Sequence, residues 1–474
     1  MNKSGKLGVK TFLSYGIGAI GEGIGYNFFF SFFTFFLTTE AGIAPALAGV
    51  ISGIAVLWDA ITDPLVGSWS DRTRNPKGRR RPFIMTGSIL FGVSVALLFC
   101  NIKAGSGVKA VYYIAVNMLY WLAMTTCVIP HISLGSELTE DFDERTELRT
   151  WAVAFMGIGT LIAVGTPLLL VDAYTKLLGT SSAGWALAGV TYGALTTLAY
   201  QICCRALKGK EPENPMLKEQ AEEIGRKELL SQFFGNAKKA FSNKSLLRLI
   251  LITFFVNVVV TLGSGLAIYL FKYVFAFTDA ESSIVYTLQG VLVIAATVVI
   301  GMAAIRFDKK LVMTAGIIIY MLSYIVILVL PLNWTTIVIS VILFALGNSG
   351  YWTMIYAMSY DASIVEQLRS GERPDGLYTS LIGLFMKFGN ALGSVIVGVG
   401  LQLIGFSEAV EEQTASVVVG IRWLYALGPA VVLAIGLIFA VSYPLTRKRF
   451  EELSKQAELA ENGAEINHTV LEGL

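Results

Sequence analysis

Residues 58–81 read WDAITDPLVGSWSDRTRNPKGRRR. The first part of this stretch lies inside a long apolar run, yet it carries Asp59 and Asp63. Residues four apart share one face of a helix. The second part leaves the run at Asp71 and ends in the dense basic turn Arg79-Arg80-Arg81. A charge at bilayer depth costs at least a few kcal/mol, so an ionisable residue placed there faces a cavity or a partner. Two carboxylates on one buried face read as a cation site, and the basic turn marks the cytoplasmic side of a membrane.

The composition sets that stretch in a polytopic membrane protein. Of the 474 residues, 54% are hydrophobic and 15% charged, and the mean hydropathy is +0.64; soluble domains carry about 25% charged residues. The net charge of +2 is too close to neutral to suggest a nucleic-acid partner. Cys100, Cys127, Cys203 and Cys204 show no metal-ligand spacing, and adjacent cysteines make a poor staple, so no disulfide framework is implied. The basic start MNKSGKLGVK is followed by an apolar run without a small-residue cleavage site, which reads as a retained first helix.

Apolar segments long enough to cross about 30 Å of hydrocarbon recur near 11–38, 44–69, 83–101, 109–136, 151–172, 182–204, 247–275, 283–305, 311–331, 335–360, 377–404 and 418–443. The expected fold is all-α, with about twelve transmembrane helices. Lys and Arg concentrate in the 71–82 turn, the 205–246 segment and the tail from Arg447 to Lys455, while the opposite connections are nearly free of Arg. An even number of spans with all basic segments on one side puts both termini in the cytoplasm. The polar 205–246 segment is far longer than an ordinary loop and divides the spans six and six. The expected organisation is therefore a first half at 1–204, a cytoplasmic central loop at 205–246, a second half at 247–443 and a cytoplasmic tail at 444–474. Major-facilitator transporters share this layout, with the substrate site between two six-helix halves. The halves echo each other: Asp71-Arg72 follows the second span and Asp308-Lys309-Lys310 the eighth, as suits a gate closed by charge pairing.

Few ionisable residues lie within the spans: Glu22, Asp59, Asp63, His131, Asp361 and Lys387, with Glu137 near an end. Asp59 and Asp63 flank Thr62, and Pro64 follows; two carboxylates with a hydroxyl nearby are hard ligands for a small hard cation. Adjacent carboxylates also push one pKa upward, so a proton is the alternative coupling ion. Lys387 reads as a partner for the carboxylates or for an anionic substrate, or else snorkels to the interface. Glu22, with Tyr26 and Asn27 close by, reads as a cavity-lining acceptor for substrate hydroxyls, and His131 as an interior histidine. Tyr351, Trp352 and Tyr356 in the tenth span, and Tyr120 and Trp121 in the fourth, are either packing residues or ring faces for a sugar. No nucleophile–base pair, metal spacing or phosphate-binding glycine loop points to an enzyme.

The residues YGIGAIGE (15–22), WDAITDP (58–64), GSWSDRTRNPKGRRRPFI (67–84), IPHISLGSELTEDFDERTELRTW (129–151), Asp361, GERPDG (371–376) and the lone Lys387 resemble the glycoside–pentoside–hexuronide:cation symporters, the melibiose-permease group of the major facilitator superfamily. The resemblance covers nearly the whole chain and implies symport of a sugar or glycoside with Na⁺, or with Li⁺ or H⁺, by alternating access. It implies a cation site at Asp59, Thr62, Asp63 and Thr125 and a substrate site including Trp352 and Lys387, to which the reading of the residues adds Glu22, Tyr26 and Tyr356. It also implies gating loops carrying Asp71, Arg72, Arg79, Arg80, Arg81, Arg145, Asp361 and Arg373.

The galactoside contacts of that group are altered. Glu22 stands where melibiose permeases have Lys, and Gly23 and Val128 where they have acids. Ile132 stands where they have Trp, and Val153 where they have Arg. Another glycoside, a pentoside, a uronide or a non-sugar amphiphile such as a lysophospholipid thus remains open, as do an uncoupled facilitator and a membrane sensor. The expected partners are a small-molecule substrate, a coupling cation and membrane lipid, with no cofactor and no nucleic acid. The expected state is a monomer with multiple spans in the cytoplasmic membrane. Asp59→Cys and Asp63→Cys are expected to abolish cation-driven solute accumulation in proteins that still insert; normal uptake by both would end the cation-site assignment.

Overall fold

Inside hydrocarbon no backbone N–H or C=O can turn to water, so a chain that crosses it must satisfy these groups internally. The computed structural model describes residues 7–72, 78–139, 141–210, 241–370, 375–407, 410, 412–461 and 468–471. Among them the regular structure is helical. The elements are α1 (Val9–Thr39), α2 (Pro45–Arg72), α3 (Arg81–Leu98), α4 (Ser106–Glu137), α5 (Phe142–Gly165), α6 (Pro167–Leu178) and α7 (Ser181–Ala206). After the central segment come α8 (Lys244–Tyr269, ending in a π turn, Leu270–Val274), α9 (Asp279–Arg306), α10 (Lys309–Val329), α11 (Trp334–Ser370), α12 (Asp375–Leu403), α13 (Ala415–Val441) and α14 (Arg447–Glu461).

The twelve longest of these helices correspond to the twelve apolar runs. Ten are long and apolar enough to cross a membrane by length and composition; α1 and α7 fall short because Gly, Ser, Thr and Tyr dilute their hydropathy. The fifth apolar run departs from expectation. A single helix over 151–172 is interrupted at Thr166, because Pro167 has no N–H for the preceding turn and fits only the start of a new helix. The Thr166 hydroxyl donates to Ile162 O at 2.8 Å, and the separate helix α6 ends at Gly179 in the left-handed conformation (φ 81°).

The chain packs as two compact units. One holds residues 1–214, 263–290 and 394–421; the other holds 215–262, 291–393 and 422–474. In the first unit α2 lies against α4, α1 against α5 and α7, and α3 against α4 and α7. Without a hydrophobic drive between helices in lipid, small residues and interhelical hydrogen bonds hold such pairs. The α3–α7 seam shows the first device: a Cβ on Gly193 would sit 2.2 Å from Gly92 O, and one on Gly92 2.4 Å from Gly193 O. The end of α8 joins the same unit through the Thr38 and Tyr269 hydroxyls, 2.5 Å apart. In the second unit, α10 and α11 close on Gly316 and Gly350.

Gly193→Ala places a methyl group against backbone that cannot rotate away. It is expected to cost about 1–3 kcal/mol and to lower the thermal midpoint in detergent by several degrees. Gly428→Ala, where a Cβ meets nothing within 4 Å, is the control and is expected to leave the midpoint unchanged or slightly raised.

Candidate functional site

The four-residue spacing of Asp59 and Asp63 sets both on the face of α2 that packs on α4. Thr125 of α4 meets them there, its hydroxyl 2.7 Å from Asp59 Oδ1 and 2.9 Å from Asp63 Oδ1. Asp59, Thr62 and Thr125 are buried, and Asp63 is partly so. A threonine hydroxyl has one proton, so it can donate fully to only one of the two carboxylates it touches. Pro64 has no N–H, so the carbonyl of Ala60, between the two aspartates, loses its usual helical donor. The result is a cluster of carboxylate, hydroxyl and carbonyl oxygens, the donor chemistry of a hard cation. Thr62 belongs to the same turn, but its hydroxyl donates to Asp59 O at 3.2 Å, so only its lone pairs remain to offer. Among the described residues no three His, Cys, Asp or Glu converge as a metal centre.

Glu22 and Tyr26 lie one turn apart on α1. The Tyr26 ring stands edge-on to Trp121, centroids 6.3 Å apart. Gly23 explains one altered position physically: a Cβ there would lie 2.3 Å from Met156 O. The α1–α5 seam therefore leaves no room at this position for the acid that the family resemblance led us to expect. Ile132, two turns from Thr125 on nearly the same face of α4, is 39% exposed. His131 is an interior residue, its ring stacked on Tyr15 at 4.4 Å and its Nε2 3.0 Å from Tyr15 O.

In the second unit, Trp352 and Tyr356 follow each other by one turn of α11 and are each 39% exposed. Tyr351, just before Trp352, is buried and accepts from Asn257 Nδ2 at 2.9 Å, a packing role. The Tyr356 hydroxyl lies 3.8 Å from Met386 Sδ on α12, beside the partly buried Lys387. Arg422 carries a second basic side chain within a span, one the sequence pattern did not single out. It donates to the carbonyls of Ile327, Leu328 and Leu330 at 2.9, 3.0 and 3.1 Å and so caps the end of α10.

The expected gating arginines are clamped. Arg80 Nε donates to Glu137 Oε1 at 2.8 Å and its Nη1 to Ser70 Oγ at 2.6 Å, while Arg79 also pairs with Glu137. Arg81 Nε donates to Cys204 O at 2.7 Å. The clamp joins α2, α3, α4 and α7, and Ser70 is a member that no sequence signal marked. Arg145 donates to Thr139 O at 2.9 Å. Asp361 takes both carboxylate bonds from Lys309, at 2.8 and 2.7 Å. The side chains of Asp71 and Arg72, and all of Arg373, lie outside the described residues.

The chain belongs to the MFS/sugar transport protein family, whose model matches residues 14–447, and it is a multi-pass secondary transporter. It is 26% identical over 462 residues to a putative glycoside/cation symporter, YagG, of Escherichia coli strain K12, covering 95% of both chains. It is 25% identical over 452 residues to an isoprimeverose transporter of Lactiplantibacillus pentosus, covering 92% of this chain and 88% of that one. The fold matches the inward-open xylose transporter XylE from E. coli with a TM-score of 0.63 at 16% identity, over 94% of this chain and 98% of that one.

Glu137→Gln removes the carboxylate from two arginines, one of them only 5% exposed at its side chain. A buried ion left without its partner costs about 3–5 kcal/mol; with Ser70 retained and Glu137 at 17% exposure, about 1–3 kcal/mol is expected. Thermal unfolding checks it, with Glu137→Asp as the partial rescue.

Proposed function

We propose that the protein couples the entry of a sugar or glycoside to a cation, Na⁺ in the first instance, across the cytoplasmic membrane with both termini inside. The observation that carries this reading is the single Thr125 hydroxyl shared between Asp59 and Asp63. Two carboxylates and a hydroxyl at this spacing suit a small hard cation, with a proton taken up by the pair as the alternative. A bound cation would take an oxygen from each aspartate, with the Thr125 hydroxyl rotating to present a lone pair and Thr62 supplying another. Glu22, Tyr26, Trp352, Tyr356 and Lys387 are the substrate residues: one acid and one base fix hydroxyls, and exposed ring faces pack on sugar C–H surfaces. Asp71, Arg72, Arg79, Arg80, Arg145, Asp361 and Arg373 serve the gates. No cofactor is needed, and the working unit is a monomer.

The names of the relatives support a glycoside. The exposed Ile132 near the carboxylates and the closed seam at Gly23 favour a substrate with an apolar face, so an amphiphile is the second reading. In either case cation and substrate favour each other by one shared coupling free energy, typically about 1–3 kcal/mol.

Thermal stability of the purified protein in a salt-matched Na⁺, Li⁺ and K⁺ series tests the site without knowledge of the substrate. A ligand that binds only the folded form raises stability by mass action, about 2.7 kcal/mol at a hundredfold excess over Kd. A rise specific to Na⁺ or Li⁺ is expected, lost in Asp63→Asn and weakened in Thr125→Val but not in Thr125→Ser. Stability that ignores all three ions and follows pH through Asp63 would replace the metal cation with a proton. Dependence on neither would leave a facilitator or sensor.

A further inference from the structure

The C-terminal helix is drawn onto one ion pair. Lys309 opens α10 and donates both its bonds to Asp361 of α11. The Lys309 side chain is 39% exposed and that of Asp361 14%, so the lysine end of the pair meets water, which weakens its hold on these helix ends. Three contacts from the tail reinforce it. The Phe450 ring of α14 covers the Lys309 ammonium, 5.3 Å from nitrogen to centroid, in reach of a cation–π attraction. The Arg447 backbone N–H donates at 2.7 Å to Oδ2 of Asp308, whose Oδ1 caps α10 by accepting from Lys310 N at 2.8 Å. Arg447 Nη1 reaches Arg306 O, the last residue of α9, at 3.3 Å. Between these groups lies a cavity of about 280 Å³, lined among others by Asp308, Lys309, Asp361, Arg447 and Phe450.

The same contacts are built to let go. α14 has fifteen residues, and an isolated helix of that length is marginal in water. Its polar ties to the bundle are exposed, Arg447 and Glu451 stand 57% and 59% exposed, and Leu453 is its one fully buried apolar anchor. Contacts of this kind open locally well before the bundle unfolds.

We propose that α14 is a reversible latch: docked, it holds the α9–α10 turn on the end of α11 and keeps the Asp361–Lys309 pair closed; released, it frees these helix ends to move. Anything that withdraws the tail then raises the rate at which this end of the second unit rearranges. The latch holds whatever solute or ion the protein carries.

Hydrogen exchange of the full-length protein in detergent reads the latch without substrate. Phe450→Ala is expected to speed exchange about three- to tenfold in 306–312 and 357–364, leaving α8 and α13 unchanged, and Phe450→Trp to restore protection. A chain ended after Leu445 is expected to match Asp361→Asn in the same two segments. The proposal falls if Phe450→Ala loosens α14 alone while 306–312 and 357–364 keep their protection. It falls equally if both the alanine variant and the shortened chain exchange as the parent does. Should the shortened chain lose protection everywhere, the Phe450 pair of variants still decides.

Discussion

The meeting of one hydroxyl with two carboxylates, one buried and one partly so, is the interaction on which the rest of this structure depends. Thr125 of α4 touches both Asp59 and Asp63 of α2 and has a single proton to give. The pair exists only while α2 stays in register with α4. A second link maintains that register higher in the same interface, where Asn117 Nδ2 donates to Ile51 O at 3.2 Å. The site is therefore a property of two helices held together.

Charges near the basic connections follow two regimes. In the first unit Arg80 is buried and every neighbour answers it with an acceptor: Glu137, Ser70 and, through Arg81, the end of α7. Such a clamp is costly to break, because an uncompensated ion would stay behind. In the second unit the lysine end of the Asp361–Lys309 pair meets water, with the Phe450 ring of the tail over it. A pair of that kind is cheap to open. The Arg80 clamp and the Asp361–Lys309 pair are thus unlike mechanical elements.

Glycine works here chiefly as an absence of volume. At Gly193 it lets α7 meet α3 backbone to backbone, and at Gly23 it lets α1 close on α5. At the second closure the space that any larger side chain would need is taken by the Met156 carbonyl.

The apolar runs and the Lys/Arg bias made the twelve long helices readable from the sequence, because hydrocarbon thickness and backbone satisfaction act on each segment locally. The i, i+4 aspartates were readable for the same reason: helical spacing along one segment places them on one face. Thr125 as their partner came from resemblance, not from spacing. The break at Thr166–Pro167 was overlooked because continuous hydropathy hid a backbone defect that Pro167 announced. Only the tertiary structure chose Ser70 for Arg80, Lys309 for Asp361, the α10 carbonyls for Arg422 and the tail for Lys309. These partners lie on different helices, up to 141 residues apart in the chain. No local period records which faces meet; packing decides it, by where small residues let backbones approach and where a buried charge must find its acceptor.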